Sequence, residues 1–375
     1  MIYLDSAATT LQKPRAVASA MAATARSMAS PGRGGHRPAR LAAETAYECR
    51  EALAGLFSVA GSENIVFTMN ATHALNIALR SLVSPGGRAV VSGWEHNAVT
   101  RPLHMLGAEI DAVRTPLFDR DAALAGFAEK LPGAQCCVCT AVSNVFGFEL
   151  PFYEIAGLCR EAGVPFVLDA SQAAGAMDID ASRLGAAFIA MPGHKGLLGP
   201  QGTGVLICGA PALPIMAGGT GSASREQDMP ASLPDRLEAG THNIPGIAGL
   251  LEGVKFVRRL GPGNIARRER VMLRALAREL AGIPGLEVFV SGDAGAQAGV
   301  LSVRHERAGC EELGEALGRL GVCVRAGLHC APLAHESAGT LESGTVRLSL
   351  SPFNTPQELR RVPALTERAI YEALR

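Results

Sequence analysis

Two kinds of apolar pattern alternate from about residue 15 to about residue 250. Short apolar runs typical of strands lie at residues 64–68, 88–92, 108–113, 135–142, 165–170, 186–191 and 204–208. Several of these runs are apolar at successive positions, as strands buried on both faces of a sheet are. Between them lie helical patterns such as residues 37–57, in which apolar residues recur at intervals of three and four. The alternation predicts an α/β fold, with helices on both faces of a parallel sheet.

The pattern changes towards the C-terminus. Residues 238–283 form a long, mostly helical passage with a Gly-Pro-Gly interruption. Beyond it the order strand, strand, helix, strand, loop, strand and helix predicts a compact α+β unit, with strands at residues 286–290, 299–305, 322–327 and 344–351 and a final helix at 355–375. We predict a large domain of residues 15–255 and a smaller domain of residues 1–14 and 256–375.

Composition limits the possible partners. The chain has 375 residues, of which 48% are apolar, so a sizeable core is expected. The 35 basic residues balance 35 acidic ones, which leaves no global field to hold nucleic acid or a membrane. No secretory signal and no apolar run of transmembrane length is visible, and nine irregularly spaced cysteines are typical of reduced thiols. We expect a cytoplasmic protein that acts on a small molecule.

A lysine follows one of the predicted buried strands, in FIAMPGHKGLLGPQGTG at residues 188–204. A lysine carried into the interior is costly while charged, and it commonly escapes that cost by losing its proton. A neutral amine in a dry pocket is a nucleophile, which is what a Schiff-base lysine requires. Lys195 is therefore a candidate for covalent chemistry with an aldehyde.

An aspartate ends the preceding predicted strand, in PFVLDASQAAG. Ligands of open α/β sheets bind at the carboxyl ends of parallel strands, where Asp169 and Lys195 would both lie. Asp169 alone could merely cap a following helix. Together the two residues match pyridoxal 5'-phosphate (PLP), because a carboxylate can keep a pyridine nitrogen protonated while a lysine forms an imine with the aldehyde of the same ring.

Three further stretches could hold this cofactor. NIVFTMNATHALNIAL predicts a strand, a short turn and a helix, so the N–H groups of Ala71 and Thr72 and the Thr72 hydroxyl would face an anion. His96 could lay its imidazole over a ring, and Asn144 in VSNVFG could hydrogen-bond a phenolic oxygen. The plainer alternatives are an ordinary N-cap, a structural histidine and a turn-forming asparagine.

Two residues near the C-terminus suggest a substrate. Arg347 lies on a predicted strand and points away from its apolar neighbours, and its guanidinium matches the α-carboxylate of an amino acid, unless it is an ordinary surface arginine. Cys330 lies in the Gly- and Pro-flanked loop RAGLHCAP, with His329 and Arg325 close in sequence. Such cationic neighbours favour a reactive thiolate, whereas the default for a cysteine is a buried, inert thiol.

The cysteines of QCCVCTAV resemble a metal site only in their spacing. Cys136, Cys137 and Cys139 lie in a predicted apolar strand, with Cys137 and Cys139 on one face and Cys136 on the other. We interpret them as packing residues, and we predict no metal site.

The stretches YLDSAATT, WEHNA, SNVFG, LDASQAAG, GHKGLLGPQGTG, EAGTHN, RAGLHCAP and VRLSLSPFNT follow one another across nearly the whole chain. In their order and spacing the sequence resembles class V aminotransferase-fold enzymes, in the branch of cysteine desulfurases and selenocysteine lyases. The resemblance implies PLP fold type I, with a large domain around a mostly parallel seven-stranded sheet, a smaller α+β domain from both chain ends, and a homodimer with active sites at the subunit interface.

The resemblance also implies a role for each matching residue. Lys195 is similar to the Schiff-base lysine, Asp169 to the partner of the pyridine nitrogen, and His96 to the imidazole stacked on the ring. The other implied contacts are Gln172 and Asn144 near the ring oxygen and the substrate, His194 and Thr72 at the phosphate, Thr241 at the phosphate of the neighbouring subunit, and Arg347 at the substrate carboxylate.

The implied activity is conversion of L-cysteine to L-alanine. Lys195 would remove the α-proton, Cys330 would attack the substrate sulfur and become a persulfide, and His96 would carry a proton. The loop that holds Cys330 is short, as in group II desulfurases, which implies a dedicated sulfur-acceptor protein. The destination of the sulfur stays open among iron–sulfur clusters, thio-modified RNA and a cofactor pathway.

Other activities fit the same motifs. A selenocysteine lyase, a transaminase or a racemase would use the same cofactor and leave Cys330 incidental, and a sulfur-carrier scaffold would need no catalysis, although the intact Lys195, Asp169 and Arg347 speak against that. The sequence departs from the family at Pro192, where serine is usual, and at NATH, residues 70–73, where Gly-Thr-Thr-Glu is usual. Phosphate binding is therefore expected to depend more on backbone amides and on Thr241.

Overall fold

The structure is a computed structural model that describes residues 1–31 and 34–375. Its strands are β1 (Ile2–Tyr3), β2 (Ile65–Thr68), β3 (Arg88–Ser92), β4 (Glu109–Val113), β5 (Cys136–Thr140), β6 (Phe166–Asp169), β7 (Phe188–Pro192), β8 (Gly204–Cys208), β9 (Leu286–Phe289), β10 (Val300–His305), β11 (Val322–Cys323), β12 (Arg325–Gly327) and β13 (Thr345–Ser349).

The helices fill the intervals between the strands. They are α1 (Arg15–Ser27), α2 (Arg37–Phe57), α3 (Ala71–Leu82), α4 (Asn97–Met105), α5 (Arg120–Lys130), α6 (Phe152–Ala162), α7 (Ala181–Leu184), α8 (Ile244–Leu260), α9 (Pro262–Leu280), α10 (Cys310–Arg319), α11 (Pro332–Ala338), α12 (Pro356–Leu359) and α13 (Val362–Ala373). No helix in the described residues is long and apolar enough to cross a membrane.

A seven-stranded sheet in the order β2-β8-β7-β6-β5-β3-β4 forms the centre of the first part of the chain. All neighbours in it are parallel except β8, which runs antiparallel to β2 and β7. The seven apolar runs predicted as strands before residue 210 all lie in this sheet, and the predicted α/β class is confirmed. Strands such as β5 and β7 are buried at every position, which explains why their sequences do not alternate.

The register of the sheet brings several chain segments to one edge. Thr140 at the end of β5 pairs with Asp169 at the end of β6, and Asp169 pairs with Ala190 of β7. Because β3, β5, β6 and β7 are parallel, the loops that follow them emerge on the same side. The segments that contain His96, Asn144, Asp169 and Lys195 are therefore neighbours.

The C-terminal part has a core of its own. A four-stranded antiparallel sheet in the order β12-β13-β10-β9 packs against α9, α10 and α13, and β1 pairs with β11. Ile2 and Leu4 belong to this core, so the N-terminal residues pack with the C-terminal part. The predicted boundary near residue 255 lies inside α8, which ends at Leu260. The division into residues 15–255 and residues 1–14 with 256–375 stays a prediction.

Three C-terminal elements differ from the expectation. Residues 322–327 are two strands, because β11 pairs with β1 while β12 pairs with β13 in another sheet. The predicted final helix is divided into α12 and α13. The predicted loop after Cys330 contains the short helix α11, which begins at Pro332 and ends before Gly339 at φ 65°.

Candidate active site

A cleft of about 510 Å³ opens at the carboxyl edge of the central sheet. Its lining includes eight of the predicted site residues, namely Ala71, Thr72, His96, Asn144, Asp169, Gln172, His194 and Lys195. They come from segments separated by up to 124 positions (195 minus 71). The structure therefore brings together most of the predicted cofactor site.

Lys195 lies in a tight loop between β7 and β8. The loop is closed by hydrogen bonds from Gly199 N to Gly193 O and from Leu198 N to Lys195 O, and Leu198 has φ 58°. The lysine faces the cleft, but protein surrounds its amine, and this burial lowers the pKa of Lys195 to about 8, partly opposed by the nearby Asp169 carboxylate. In the described part of the chain Nζ has no hydrogen-bond partner. A larger share of this amine is thus neutral and nucleophilic at pH 7 than of an ordinary exposed lysine.

Asp169 is buried at the end of β6. Its Oδ1 accepts a hydrogen bond from Ser171 N at 2.9 Å, and the other carboxylate oxygen has no partner among the described residues. Turns rather than a helix follow it, so the alternative that Asp169 caps a helix is wrong. The side chain retains the capacity to hold a cationic or N–H group in the cleft. Gln172 lies beside it and donates from Nε2 to Ala7 O at 3.1 Å.

His96 is the N-cap of α4. Its Nδ1 accepts the backbone N–H of Ala98 at 2.9 Å, and burial lowers the pKa of His96 to about 4 despite the nearby Asp169. The imidazole is therefore neutral at pH 7 and carries its proton on Nε2, because Nδ1 is an acceptor. A neutral ring of this kind can stack on a heteroaromatic cofactor and donate one proton.

Glu95 is a site residue for which no role was predicted. It is fully buried beneath the cleft, and its Oε1 accepts hydrogen bonds from Ser92 Oγ at 2.5 Å and Thr140 N at 2.6 Å. Burial raises the pKa of Glu95 to about 8, in spite of these hydrogen bonds. The carboxyl joins the ends of β3 and β5, and with them the segments that carry His96 and Asn144. Glu95 follows the end of β3 by three residues, a position at which sequence alone does not distinguish a buried carboxyl from an exposed loop glutamate.

The other end of the cleft is suited to an anion. Helix α3 begins at Ala71, and the Asn70 side chain already caps it by accepting His73 N at 2.9 Å. The N–H groups of Ala71 and Thr72 belong to the first turn and have no helical partner, so they are free to bind a phosphate. A Cβ at Gly204 would lie 2.6 Å from the Asn70 backbone, so glycine is needed for β8 to approach this turn.

His194 lies at this end as well. Its Nδ1 is 3.0 Å from Thr9 Oγ1, and its carbonyl accepts N–H and O–H groups of Thr10. Burial, reinforced by the positive charges of Lys195 and Lys13, lowers the pKa of His194 to about 4. Pro192 also lines the cleft but supplies no side-chain donor.

Cys330 lies in the four-residue connection between β12 and α11. It is exposed, and its Sγ accepts a hydrogen bond from Arg325 Nη2 at 3.6 Å. The alternative of a buried thiol is therefore wrong, whereas the reactivity of Cys330 stays a prediction. His329 and Cys330 both have positive φ angles, 50° and 57°, a conformation that costs free energy in residues with a Cβ.

This loop is tied to the segments of the central sheet. Asn97 N donates to Cys330 O at 2.8 Å, and Asn144 Nδ2 donates to His329 O at 2.9 Å. The buried His329 ring lies with its Nε2 3.2 Å from Thr345 O and Oγ1 of β13. Asn144 thus lines the cleft and holds the cysteine loop at the same time, which its sequence did not indicate.

Arg347 is buried, with 1% of its side chain exposed, so the surface alternative is wrong. Its Nη2 forms an ion pair with Asp5 Oδ1 at 2.8 Å, and Nη1 donates to Asn144 O at 3.0 Å. Asp5 was not among the predicted site residues. Because 342 positions separate the two partners, no local pattern could have revealed the pair.

Thr241 is the predicted cofactor-binding residue that the structure does not bring to the cleft, and Cys330 and Arg347 lie outside the cleft lining as well. Thr241 is exposed and lines a different depression with Glu238, His242 and Asn243. Within one chain it is therefore not among the residues that surround Lys195.

The cysteines of β5 have packing roles. All nine cysteines are free, and Cys136, Cys137 and Cys139 are fully buried in β5, where burial raises the pKa of each thiol. Cys137 and Cys139 pack into one core cluster and Cys136 into another, as predicted. In residues 1–31 and 34–375 no group of three or more His, Cys, Asp or Glu residues could hold a metal ion.

Comparisons with known proteins agree over nearly the whole chain. The model of the class V aminotransferase family matches residues 2–362. A probable cysteine desulfurase of Methanothermobacter thermautotrophicus is 32% identical, with 96% of this chain and 92% of that protein covered. A cysteine desulfurase of Klebsiella pneumoniae is 31% identical, with coverage of 98% and 93%.

Solved structures have the same architecture. An apo cysteine desulfurase of Thermococcus onnurineus superposes with a TM-score of 0.90 at 28% identity, covering 99% of this chain and 94% of that one. The cysteine desulfurase CsdA of Escherichia coli, in an S-sulfonic acid form, gives a TM-score of 0.86 at 26% identity, with coverage of 98% and 94%.

Proposed function

Because the chain belongs to the class V aminotransferase family, we propose that it is a PLP-dependent cysteine desulfurase that converts L-cysteine to L-alanine and receives the sulfur on Cys330. The observation that carries the proposal is the pairing of two kinds of reactive group. A buried amine, Lys195, lies in the cleft, and an exposed thiol, Cys330, lies on a loop fastened to the same cleft by Asn144. A transaminase would not require the second group.

The residues of the cleft fit PLP. Among the described residues the amine of Lys195 has no hydrogen-bond partner and suits an aldehyde, and Asp169 has an unused carboxylate oxygen for a pyridine N–H. The free N–H groups at the start of α3, with Thr72 and His194, suit a phosphate. PLP, when bound, supplies the electron sink that stabilises negative charge at the substrate α-carbon. We propose that the backbone N–H groups at the start of α3 take over the contacts of the serine that is usual in the family at the position of Pro192.

The chain's own groups account for the remaining chemistry. Arg347 binds the substrate α-carboxylate, and Lys195 Nζ removes the α-proton. The Cys330 thiolate then attacks the substrate sulfur, so a sulfur–sulfur bond forms while the carbon–sulfur bond breaks. The electron pair of the broken bond stays with the carbon, which takes up the proton of the substrate thiol, carried by His96 in our proposal, and becomes the methyl group of alanine. Lys195 Nζ returns to the α-carbon the proton that it removed. Cys330 is left as a persulfide.

The position of the loop suggests how the sulfur leaves. Only residues 328–331 connect β12 to α11, and hydrogen bonds to Asn97 and Asn144 hold them in place. Such a short connection cannot carry Cys330 far from the cleft. We propose that a sulfur-acceptor protein comes to the exposed thiol. A cytoplasmic location, supported by nine unpaired cysteines, completes this proposal.

A homodimer would explain Thr241. Its distance from the Lys195 cleft in one chain supports a role at the phosphate of a neighbouring subunit. Mixing Lys195→Ala chains with Thr241→Ala chains tests this directly. If Thr241 acts on the partner's cofactor, the mixed dimer contains one intact site and activity returns. If it acts within its own chain, both sites are defective and activity stays lost.

The experiment for the activity measures alanine formed from L-cysteine by the PLP-loaded protein and by Cys330→Ala, with the visible absorption of bound PLP recorded for both. We expect turnover in the wild type alone and equal absorption in both. Turnover that survives in the variant would overturn the role of Cys330. Bound PLP without alanine from either protein would redirect the search to selenocysteine and to transamination substrates.

A further inference from the structure

The substrate arginine already has a carboxylate partner inside the chain. Arg347 is almost fully buried, and its charge is balanced by Asp5 at 2.8 Å. We propose that Asp5 is an internal substitute for the substrate carboxylate, which neutralises Arg347 in the free enzyme and is displaced when an amino acid binds. This inference rests on the proposed function only in taking the substrate to be an α-amino acid.

The hydrogen bonds of Arg347 leave room for a second carboxylate. A guanidinium offers five N–H donors, and it binds a carboxylate best through two parallel ones. Nη2 donates to Asp5 and Nη1 donates to Asn144 O, whereas Nε is buried without a partner in the described residues. Of the two donors on the Nε and Nη2 edge, only Nη2 therefore has an acceptor. A substrate carboxylate on this edge would satisfy Nε and compete with Asp5 for Nη2.

Asp5 is the partner that can move. Its side chain is 22% exposed, and the ion pair is its only side-chain hydrogen bond among the described residues. Arg347 lies instead on β13, between β10 and β12. A displaced Asp5 can turn to water at small cost, while a displaced arginine would leave a buried charge unpaired. The exchange therefore moves Asp5 and leaves Arg347 in place.

The charges around Arg347 favour an anion beside its guanidinium both in the free enzyme and in the enzyme with bound substrate. Arg325 pairs directly with Arg347 in the β12–β13 register, so two cations are neighbours on one sheet. Without Asp5 or a substrate, Arg347 would face this repulsion with no counter-ion. Asp5 thus stabilises the empty site, and it opposes the binding of any second carboxylate by like-charge repulsion.

The segment that carries Asp5 also contacts the lysine loop. Ala7 O accepts the Gln172 side chain at 3.1 Å, and the Thr10 hydroxyl donates to His194 O at 3.0 Å. Ala7 N in turn donates a hydrogen bond to Ser349 Oγ of β13 at 2.8 Å. On the other side of Asp5, Leu4 N donates to Cys323 O and Leu4 O accepts Ser349 N, so the backbone is held on both sides and a movement of Asp5 is constrained to its side chain.

The test uses PLP-loaded Asp5→Asn, which removes the charge and keeps the shape. We expect the KM for L-cysteine and the dissociation constant for L-alanine to fall about tenfold, because repulsion disappears while the Nε and Nη2 edge remains. The kcat should stay within about twofold. Ethylamine, which lacks the carboxylate, should bind both proteins equally. Without ligand, the Tm of Asp5→Asn should fall, and L-alanine should raise it more than it raises that of the wild type.

Two further variants separate the explanations. Asp5→Glu keeps the charge and should retain wild-type KM. Glu149→Gln removes the buried carboxylate partner of the partly buried Arg270 and should lower the Tm while leaving KM unchanged. A higher KM in Asp5→Asn would contradict the proposal, because it would mean that Asp5 only orients Arg347. An unchanged KM would contradict it too. Alanine binding is measured without turnover, so a lack of desulfurase activity would not disturb this test.

Discussion

The cofactor cleft and the cysteine loop obtain their reactive groups in opposite ways. Lys195 follows a strand buried at every position, and burial lowers the pKa of its amine to about 8. Cys330 is exposed, with a guanidinium 3.6 Å from its sulfur and a backbone in the left-handed region. Exclusion of water lowers the pKa of the Lys195 amine, whereas the backbone conformation of its loop keeps the Cys330 thiol accessible at the surface.

This difference matches the partners that each group would meet. An enclosed amine can hold a cofactor that stays bound. A sulfur atom that must pass to another molecule requires a thiol that the other molecule can reach. Asn144 links the two regions, since it lines the cleft and donates to the carbonyl of His329. The two environments should therefore respond differently to substitution, which the following predictions test.

Removal of the buried amine should have the largest effect. We expect Lys195→Ala to lower alanine formation by roughly a thousandfold or more, because both covalent capture of PLP and proton removal are lost. Lys13→Ala is the matched control, since burial lowers the pKa of Lys13 to about 8 as well. Lys13 contacts Thr10 and does not line the cleft, so this variant should retain most of its activity. Equal losses in both variants would contradict the assignment.

The pH dependence of cofactor capture should be the next largest effect. The lowered pKa means that Lys195 is neutral above about pH 8 and protonated below it. The rate at which cofactor-free protein takes up PLP should therefore rise about tenfold per unit as the pH approaches 8 from below, and then level off. Stopped-flow absorbance would measure it. A midpoint near the ordinary lysine value of 10.5 would show that the amine is not desolvated.

Loosening the cysteine loop should have a smaller effect. Thr345→Val removes the hydroxyl next to His329 Nε2 and Ser302 Oγ, and we expect a loss of about 1–3 kcal/mol in unfolding free energy. Alkylation of Cys330 should become a few times faster as the strained loop opens more often. Thr366→Val is the control, because among the described residues this buried hydroxyl bonds only to Val362 O within α13. It should lose stability without changing the alkylation rate.

Much of the cleft was predictable from sequence for a topological reason. Asp169 and Lys195 end apolar runs, and parallel strands bring such ends to one edge. The direction of the Arg347 side chain, away from its apolar neighbours, was predicted from the alternation along its strand. Its partner Asp5 did not, because an ion pair across 342 positions leaves no trace in a local pattern. Glu95 was missed because a buried, protonated carboxyl looks like any loop glutamate in sequence.

The errors in the C-terminal part have a related cause. Residues 322–327 form one continuous apolar-rich run, yet they serve two sheets, since the partner of β11 comes from the N-terminus. Helix α11 is seven residues long, too short for a periodic signal. Elements defined by distant partners or by a single turn exceed what local patterns can predict.

The most direct test of the account is a single turnover with one equivalent of L-cysteine per PLP-loaded chain, analysed by mass spectrometry of the peptides and by alanine determination. The account predicts one additional sulfur atom on the peptide that contains Cys330, none on those that contain Cys310 or Cys323, and an equal amount of alanine. Alanine without sulfur on Cys330, or sulfur spread over the other thiols, would contradict the claim that this exposed cysteine completes the chemistry begun at Lys195.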